Sequence, residues 1–152
     1  MTTFKSMVDE TNQHILRELQ ADARLSYSEI GRRVGLTAPA VAERVHRMEA
    51  SGIIVGYHAA VVPEKLGYPI TVFIQITSAR GDCTPISEYV RDLSCISACY
   101  HVTGERDVLL QGSFPSVTHL ETLVEALTRY GNVSTSLVLS TRFTRTIPPQ
   151  ST

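Results

Sequence analysis

The residues of this chain best suited to chemistry are four side chains in one short stretch, Ala40, Glu43, Arg44 and Arg47. Spacings of three and four residues place them on one face of a helix. Guanidinium groups bind phosphates and guanine edges, and a small residue such as alanine lets a helix approach a groove closely. The pattern predicts a helix face that reads double-stranded DNA. The same residues also fit an ordinary solvated helix face, with Arg44 bracing Glu49 or the backbone.

The charge around this stretch differs from the charge of the whole chain. The 152 residues carry a formal net charge of -1, which excludes a generally basic nucleic-acid coat. Residues 24–47 instead contain five arginines against two glutamates, a local excess of three positive charges. Any DNA affinity must therefore come from this local patch.

The elements that would position these residues are two capped helices joined by a three-residue turn, a helix-turn-helix within residues 25–54. Ser26 and Glu29 have the spacing of a capping box, and Gly35 supplies the permissive backbone that ends the first helix. Thr37 is the next N-cap, with Pro39 in the first turn of the recognition helix. An earlier helix starts near Asp9. The predicted DNA-binding residues are the two helix starts and the exposed face, namely Ser26, Tyr27, Ser28, Thr37, Ala38, Pro39, Ala40, Glu43, Arg44 and Arg47.

A short apolar run over residues 53–62 predicts a strand, which would act as a wing or a connector. From Ile70 onward, alternating apolar residues predict a strand, and Thr84 with Pro85 opens a helix. Strands over 96–103 and 107–113 follow, then a helix capped by Ser116 and a last strand over 133–143. This βαββαβ order predicts a ferredoxin-like sheet with both helices on one face.

The fold class predicted overall is α+β, with an N-terminal winged helix-turn-helix joined by a hinge strand to a C-terminal ferredoxin-like domain. We expect the domain boundaries at 1–54, 55–69 for the hinge and linker, 70–146, and 147–152 for a flexible tail. Phe73, Leu109 and Val138 alternate out of phase with the helix-packed residues. Their face needs a cover, and a second copy of the same sheet predicts an obligate dimer.

The chain resembles the leucine-responsive and asparagine regulator family, Lrp/AsnC, over nearly its whole length. The matching residues are Asp9, Asn12, Ile15, Leu16, Leu36, Thr37, Val41, Arg44, Val45, Arg47, Glu49 and Gly52, followed by His101, Val102, Thr103, Gly104, Asp107, Leu109 and Leu110. The resemblance implies a bacterial or archaeal transcription regulator that binds DNA, forms dimers that assemble into tetramers or octamers, and binds an amino acid between dimers. Two departures are Thr37, where the family usually has serine, and Val108, where an aromatic residue is common.

The resemblance places the effector at the turn around Gly104. A glycine turn exposes backbone N–H groups for a carboxylate, and Asp107 is an acceptor for an ammonium group. By spacing alone, an ordinary hairpin with a surface aspartate is the more common interpretation. The hydroxyls of Thr135 and Ser136 would contribute from a neighbouring last strand. The predicted effector-binding residues are Tyr100, Val102, Thr103, Gly104, Asp107, Thr135 and Ser136.

Other classes of function have weaker support in the sequence. Cys83, Cys95 and Cys99 form no Cys-x-x-Cys motif, so neither a disulfide framework nor a zinc knuckle is indicated. Cys99 and His101 share a strand face, and with Cys83 or Cys95 they would be the ligands of a metal sensor, but they form no compact ligand motif. No apolar run is long enough to span a bilayer, no nucleophile elbow or phosphate loop occurs, and we expect a cytoplasmic protein without cofactors.

Two alternatives to a specific regulator remain open at this stage. Siroheme decarboxylases resemble the same two-part architecture and carry out chemistry in the second domain. A chromosome-organising protein with little sequence preference is the other. Specific binding exceeds non-specific binding by roughly 10³ or more, so competition with unrelated DNA separates this alternative from a regulator.

Overall fold

The computed structural model describes residues 9–79, 81–145 and 147. The chain divides into two compact units. The first contains the residues up to Ala59 together with the segment that begins at Phe143, and the second spans Ala60–Arg142. The tail predicted at 147–152 lies outside the described residues, except for Ile147.

Three helices form the first unit, and their boundaries follow the predicted caps. Helices α1 (Glu10–Ala21), α2 (Tyr27–Val34) and α3 (Ala38–Ala50) begin after Asp9, Ser26 and Thr37, whose side chains each accept a backbone N–H of the first turn. The capping box between Ser26 and Glu29 is complete. The side chains that fill the core are Ile15, Leu19, Ile30, Val41, Val45 and Met48.

The turn between α2 and α3 depends on two glycines with different roles. Gly35 adopts the left-handed conformation, with φ of 72°, and ends α2 as predicted. Gly31 lies inside α2, where a Cβ atom would stand 2.4 Å from the carbonyl oxygen of Leu36. The helix and the turn therefore approach each other more closely than any side chain at position 31 would allow.

The strand predicted over residues 53–62 is absent, because the described chain offers this segment no strand to pair with. Ile53 and Ile54 instead donate their N–H groups to the carbonyl of Met48, which closes the end of α3. Residues 55–62 are exposed, and Val55 retains 89% of its accessible surface. A 3₁₀ turn over Pro63–Leu66 then leads into the sheet.

The second unit has the predicted ferredoxin-like topology. Its elements are β1 (Ile70–Ser78), α4 (Thr84–Val90), β2 (Ile96–His101), β3 (Val108–Phe114), α5 (Val117–Thr128) and β4 (Gly131–Leu137). The strands are antiparallel in the order β2-β3-β1-β4. Both helices pack on one face of the sheet, where the buried residues are Val72, Ile74, Ile76, Ile86, Val90, Val108, Leu110, Phe114, Leu123 and Leu127.

The last strand ends earlier than predicted and occupies a different place. Leu137 pairs with Val72, and the amide of Val138 reaches the carbonyl of Thr71 at 2.9 Å. Because β1 begins at Ile70, residues beyond this point have no strand beside them, so the predicted extension to residue 143 was wrong. The order of strands also puts β4 at the edge opposite to β2.

Candidate nucleic-acid interface and effector site

On the face of α3 that was predicted to contact DNA, the charged side chains of Arg47 and Glu43 are largely exposed to solvent. Arg47 and Glu43 lie one turn apart and form an ion pair, with side chains 70% and 64% exposed. Such a surface pair contributes little to stability. The Arg47 guanidinium therefore has a weak partner that a DNA phosphate can replace at low cost.

Arg44 is bound to the start of α1, and its side chain keeps 32% of its accessible surface. Its Nη1 donates to Asp9 Oδ2 at 2.7 Å and to Asn12 Oδ1 at 2.9 Å, which ties α3 to the start of α1. Partial burial acts to raise the pKa of Asp9. The hydrogen bonds from Arg44 and from the Asn12 amide outweigh it, so this pKa lies below its ordinary value. The brace considered from the sequence exists, but its partners are on α1 and Glu49 is not among them.

The hydroxyls at the two helix starts are already engaged in capping. Ser26 Oγ donates to Glu29 Oε2 at 2.6 Å and accepts the Glu29 amide, and Thr37 Oγ1 accepts the amide of Ala40 at 3.4 Å. Ser28 is exposed beside them, whereas Tyr27 is half-buried and packs against the core. Of the helix starts, Ser28 and the exposed Pro39 present the freest surface.

Two features of this unit were not singled out from the sequence. Arg32 is exposed on α2, and within the described chain its guanidinium pairs with no carboxylate, whereas its neighbour Arg33 pairs with Glu18. The hydroxyl of Tyr57 donates to Glu49 Oε1 at 2.9 Å. Partial burial and then this glutamate raise the pKa of Tyr57 to about 12. Only the excess of arginines pointed to Arg32, and nothing local in the sequence pointed to the Tyr57 contact.

The turn between β2 and β3 is held to the end of β1 by Asp107. The Asp107 amide donates to the carbonyl of Ile76 at 3.0 Å, and its Oδ2 accepts the Ser78 amide at 2.7 Å. The Asp107 carbonyl in turn accepts the Val102 amide at 2.9 Å. Gly104 at the exposed tip has φ of 118°, with open space where a Cβ would stand. One carboxylate oxygen of Asp107 therefore has a structural task, and the tip of the turn is accessible.

A second polar contact beside this turn was missed from the sequence. Arg106 Nη1 donates to Thr77 Oγ1 at 3.1 Å, and the Thr77 hydroxyl donates to the carbonyl of Glu105 at the same distance. Arg106 is half-buried. The Arg106 guanidinium is thus held next to the predicted effector residues. In the sequence, only its position between Glu105 and Asp107 could have indicated this contact.

The predicted effector residues do not all meet within one chain. Val102, Thr103, Gly104 and Asp107 share the turn, and Tyr100 lies near the end of β2, opposite Leu109. Thr135 and Ser136 lie on β4, where they pair with Ile74 and Phe73. Because β3 and β1 separate β4 from β2, the expectation of a neighbouring last strand was wrong.

The described residues contain no group of three histidine, cysteine or acidic side chains that could hold a metal ion. Burial is the largest cause that raises the pKa of all three cysteine thiols, which disfavours the thiolate form that binds metals. In the described part of the chain, no helix is long and apolar enough to cross a membrane.

Two family models match the chain in the order of its two units. The AsnC-type helix-turn-helix domain matches residues 8–49, and the Lrp/AsnC ligand binding domain matches residues 71–148. Together they account for most of the chain.

Named relatives are similar to the chain over at least four fifths of their length. It is 36% identical over 131 residues to the leucine-responsive regulatory protein of Escherichia coli, covering 84% of this chain and 80% of that protein. The solved structure of Bacillus subtilis LrpC superposes with a TM-score of 0.84 at 31% identity, covering 90% of this chain and 98% of that one. A feast or famine regulatory protein from M. tuberculosis, complexed with L-methionine, gives 0.86 at 30% identity, covering 93% and 99%.

Proposed function

The chain belongs to the Lrp/AsnC family of transcriptional regulators, and from that premise we propose that it binds specific DNA sites under the control of an amino acid. The contrast on α3 carries the proposal: Arg47 is 70% exposed and weakly paired, while Arg44 is 32% exposed and is tied to Asp9 at the start of α1. A charged side chain kept at the surface without a structural task is available for a partner.

The DNA contacts that we propose divide into positioning and base reading. Ser28, Pro39 and the helix starts at Ser26 and Thr37 would lie along the phosphates, where helix N-termini favour anions. Ala40, Glu43 and Arg47 would face the major groove. Tyr27 and Arg44 then act from behind this surface by fixing α2 and α3. The remaining proposed contact residue is Ala38.

For the effector we propose an amino acid at the turn that contains Gly104 and Asp107. The mycobacterial relative was solved with L-methionine, which supports this class of ligand. Thr135 and Ser136 lie on β4, too far across the sheet to join the same turn within one chain. We therefore propose that a second subunit supplies them, so that the ligand binds between subunits and reports on their assembly.

We propose a dimer in which the sheet face opposite to the helices packs on its copy. Phe73, Leu109 and Val138 lie on this face, and no strand residue on it carries a charge in the described chain. Exposed Val61 and Val62 in the segment after α3 provide a further surface for pairing between copies. Assembly of dimers into tetramers or octamers would fix the distance between recognition helices, and the amino acid would shift that equilibrium.

A mobility-shift experiment on the intergenic DNA beside the gene tests this function. We expect a shift that survives excess unrelated DNA and changes in position or affinity when one amino acid is added. If excess unrelated DNA abolishes the shift, the protein would instead be a chromosome-organising protein with little sequence preference. Absence of any shift, together with tetrapyrrole absorbance or turnover of siroheme, would indicate the enzyme alternative. As a DNA-binding regulator the protein would work in the cytoplasm.

A further inference from the structure

Arg106 is a half-buried cation, and no ion pair joins it to a carboxylate in the described part of the chain. Its guanidinium carries five N–H donors, and one of them bonds to Thr77 Oγ1 at 3.1 Å. Among the described residues no carboxylate lies within ion-pair distance of it, since the three ion pairs all belong to the helical unit. The remaining donors of this rigid fork are therefore available to an anion from outside the chain.

The acidic side chains next to Arg106 in sequence do not neutralise it. Asp107 directs Oδ2 to the Ser78 amide, at 2.7 Å, and Glu105 is exposed. The Thr77 hydroxyl at the end of β1 connects the Arg106 side chain to the backbone of the turn, because it accepts from Arg106 and donates to the Glu105 carbonyl. The guanidinium is thus held at the end of β1 before any ligand arrives, which lowers the entropy cost of binding.

The neighbouring surface also lacks a counter-charge for Arg106. Thr77 lies on the sheet face that we propose to pack on a second copy, and the side chains on this face are all uncharged. They include Phe73, Gln75, Tyr100, Leu109 and Gln111 around the middle of the sheet. Packing of two such faces would remove water near Arg106 without supplying a carboxylate, and an unpaired charge that loses water is costly.

We propose that the effector of this chain carries a second anionic group and is an acidic amino acid, glutamate or aspartate. Arg106 binds the side-chain carboxylate, the backbone N–H groups at Gly104 bind the α-carboxylate, and Asp107 accepts from the ammonium group. This inference rests on the proposed function, since it assumes that the turn binds an amino acid. Arg106 is its specificity-determining residue.

Titration calorimetry on the full-length protein with matched ligand pairs tests the proposal. L-glutamate and L-glutamine have nearly the same shape and differ in one charge, as do L-aspartate and L-asparagine. We expect the acidic member of one pair to bind about tenfold or more tightly than its amide, which is the scale of one charge-assisted hydrogen bond. Arg106→Gln should remove this preference, and Arg106→Lys should keep part of it. Arg91→Gln, which removes an exposed arginine at the end of α4, should leave it unchanged.

The outcomes distinguish a failure of the role of Arg106 from a failure of the amino-acid site itself. Equal affinity for acid and amide in the wild type overturns the role of Arg106 while leaving an amino-acid site intact. An acidic preference that persists in a folded Arg106→Gln protein also overturns it. If no amino acid gives heat with the wild type, the effector site itself fails together with this inference. Should Arg106→Gln not fold, as judged by circular dichroism, the wild-type comparison of acid and amide still decides.

Discussion

On helix α3, Arg47 is the arginine that we propose for DNA contact, whereas Arg44 ties α3 to the start of α1. Arg47 is 70% exposed and pairs only with Glu43 on the same helix. We predict that Arg47→Ala weakens operator binding by about 1–3 kcal/mol. If the contact is to a phosphate, the fall of log affinity with log salt should also become less steep, by about one in the slope. Fluorescence anisotropy across a salt series measures both quantities.

Arg91→Ala is the matched control, because it removes an exposed arginine from the other unit. It should leave the affinity and the salt slope as in the wild type. The free energy of unfolding of Arg47→Ala should change by no more than about 0.5 kcal/mol, as for other exposed pairs of this spacing. Unaltered DNA binding of Arg47→Ala over the whole salt range would remove this residue from the interface.

Arg44→Ala should instead lower stability, in a manner that depends on pH. Burial raises the pKa of Asp9, but the hydrogen bond and charge of Arg44, together with the Asn12 amide, hold it below its ordinary value of 3.8. A carboxyl group with a lowered pKa stabilises the fold above the ordinary value, and this contribution disappears as pH falls through the folded pKa. We expect Arg44→Ala to cost about 1 kcal/mol at pH 7, and the difference from wild type to shrink below pH 4.

Urea unfolding between pH 7 and pH 3 measures this difference, and NMR titration of Asp9 in both proteins identifies the group. The pKa of Asp9 should rise in Arg44→Ala, because burial is then opposed only by the backbone hydrogen bonds and no longer by the hydrogen bond and charge of Arg44. A destabilisation that stays constant with pH would show that Arg44 acts through packing alone.

The roles of these arginines show which side-chain contacts the sequence could predict. The pairing of Ser26 with Glu29 spans three residues and follows from spacing along one helix. The bond from Arg44 to Asp9 spans 35 residues and depends on how α1 crosses α3. Local spacing contains no information about that crossing, so the sequence left Arg44 between the DNA face and a brace to Glu49 or the backbone, and it could not identify Asp9 as the partner.

At the scale of the helices, Gly31 makes the helix-turn-helix possible. Glycine to alanine inside a helix ordinarily stabilises by up to about 1 kcal/mol. Here a Cβ would stand 2.4 Å from the Leu36 carbonyl oxygen, which is backbone and cannot move aside. We therefore predict the opposite sign for Gly31→Ala, a loss of about 1–3 kcal/mol from overpacking, measured by urea unfolding of the full chain.

Gly35→Ala provides a comparison with a different cause. Position 35 has open space for a Cβ but a left-handed backbone, so its cost should be about 1 kcal/mol from the conformation alone. Gly31→Ala should also weaken DNA binding at temperatures where the protein stays folded, because the turn sets the angle of α3. A stabilised Gly31→Ala protein would contradict the close approach.

The elements of this fold were predictable to the extent that they follow from local patterns. The caps predicted at Ser26, Thr37 and Ser116 mark helix starts correctly, and the first helix begins next to Asp9 as expected. Strands depend on partners that can be far away in sequence. An apolar run predicted a strand over residues 53–62, and the last strand was expected to extend to residue 143, but neither segment finds a neighbour in the described chain. Alternation also specifies the face of a strand and not its place in the sheet, so the position of β4 was misjudged.

For the molecule as a whole, the uncharged sheet face determines the oligomeric state that we expect. Phe73 lies on the central strand β1 of this face, opposite Gln111 on one side and Ser136 on the other. In a face-to-face dimer, Phe73→Asp would bury a carboxylate without a partner. We predict that it weakens dimerisation at least about a hundredfold, since such a charge costs several kcal/mol. Sedimentation velocity over a range of concentrations measures the change.

Val117→Asp is the control, because Val117 is 58% exposed at the start of α5, on the helical side of the sheet. It should leave the sedimentation profile unchanged. If Phe73→Asp remains dimeric and folded, the copies associate through another surface. Since exposed Val61 and Val62 follow α3, that segment would be the next to substitute.

The proposed dimer has a geometric consequence for the DNA. Two-fold related recognition helices contact half-sites on one side of the duplex, about 34 Å or one helical turn apart, or at multiples of this distance. We predict that inserting five base pairs between the half-sites removes most of the affinity, and that inserting ten restores much of it, as measured by mobility shift. The monomeric Phe73→Asp protein should be insensitive to spacing, because nothing then links its two binding events. A wild-type protein that binds all spacings equally would show that the subunits read DNA independently.

If spacing matters, adding the effector should change which spacing binds best, because a ligand between subunits acts on DNA only through the arrangement of the helices that it favours.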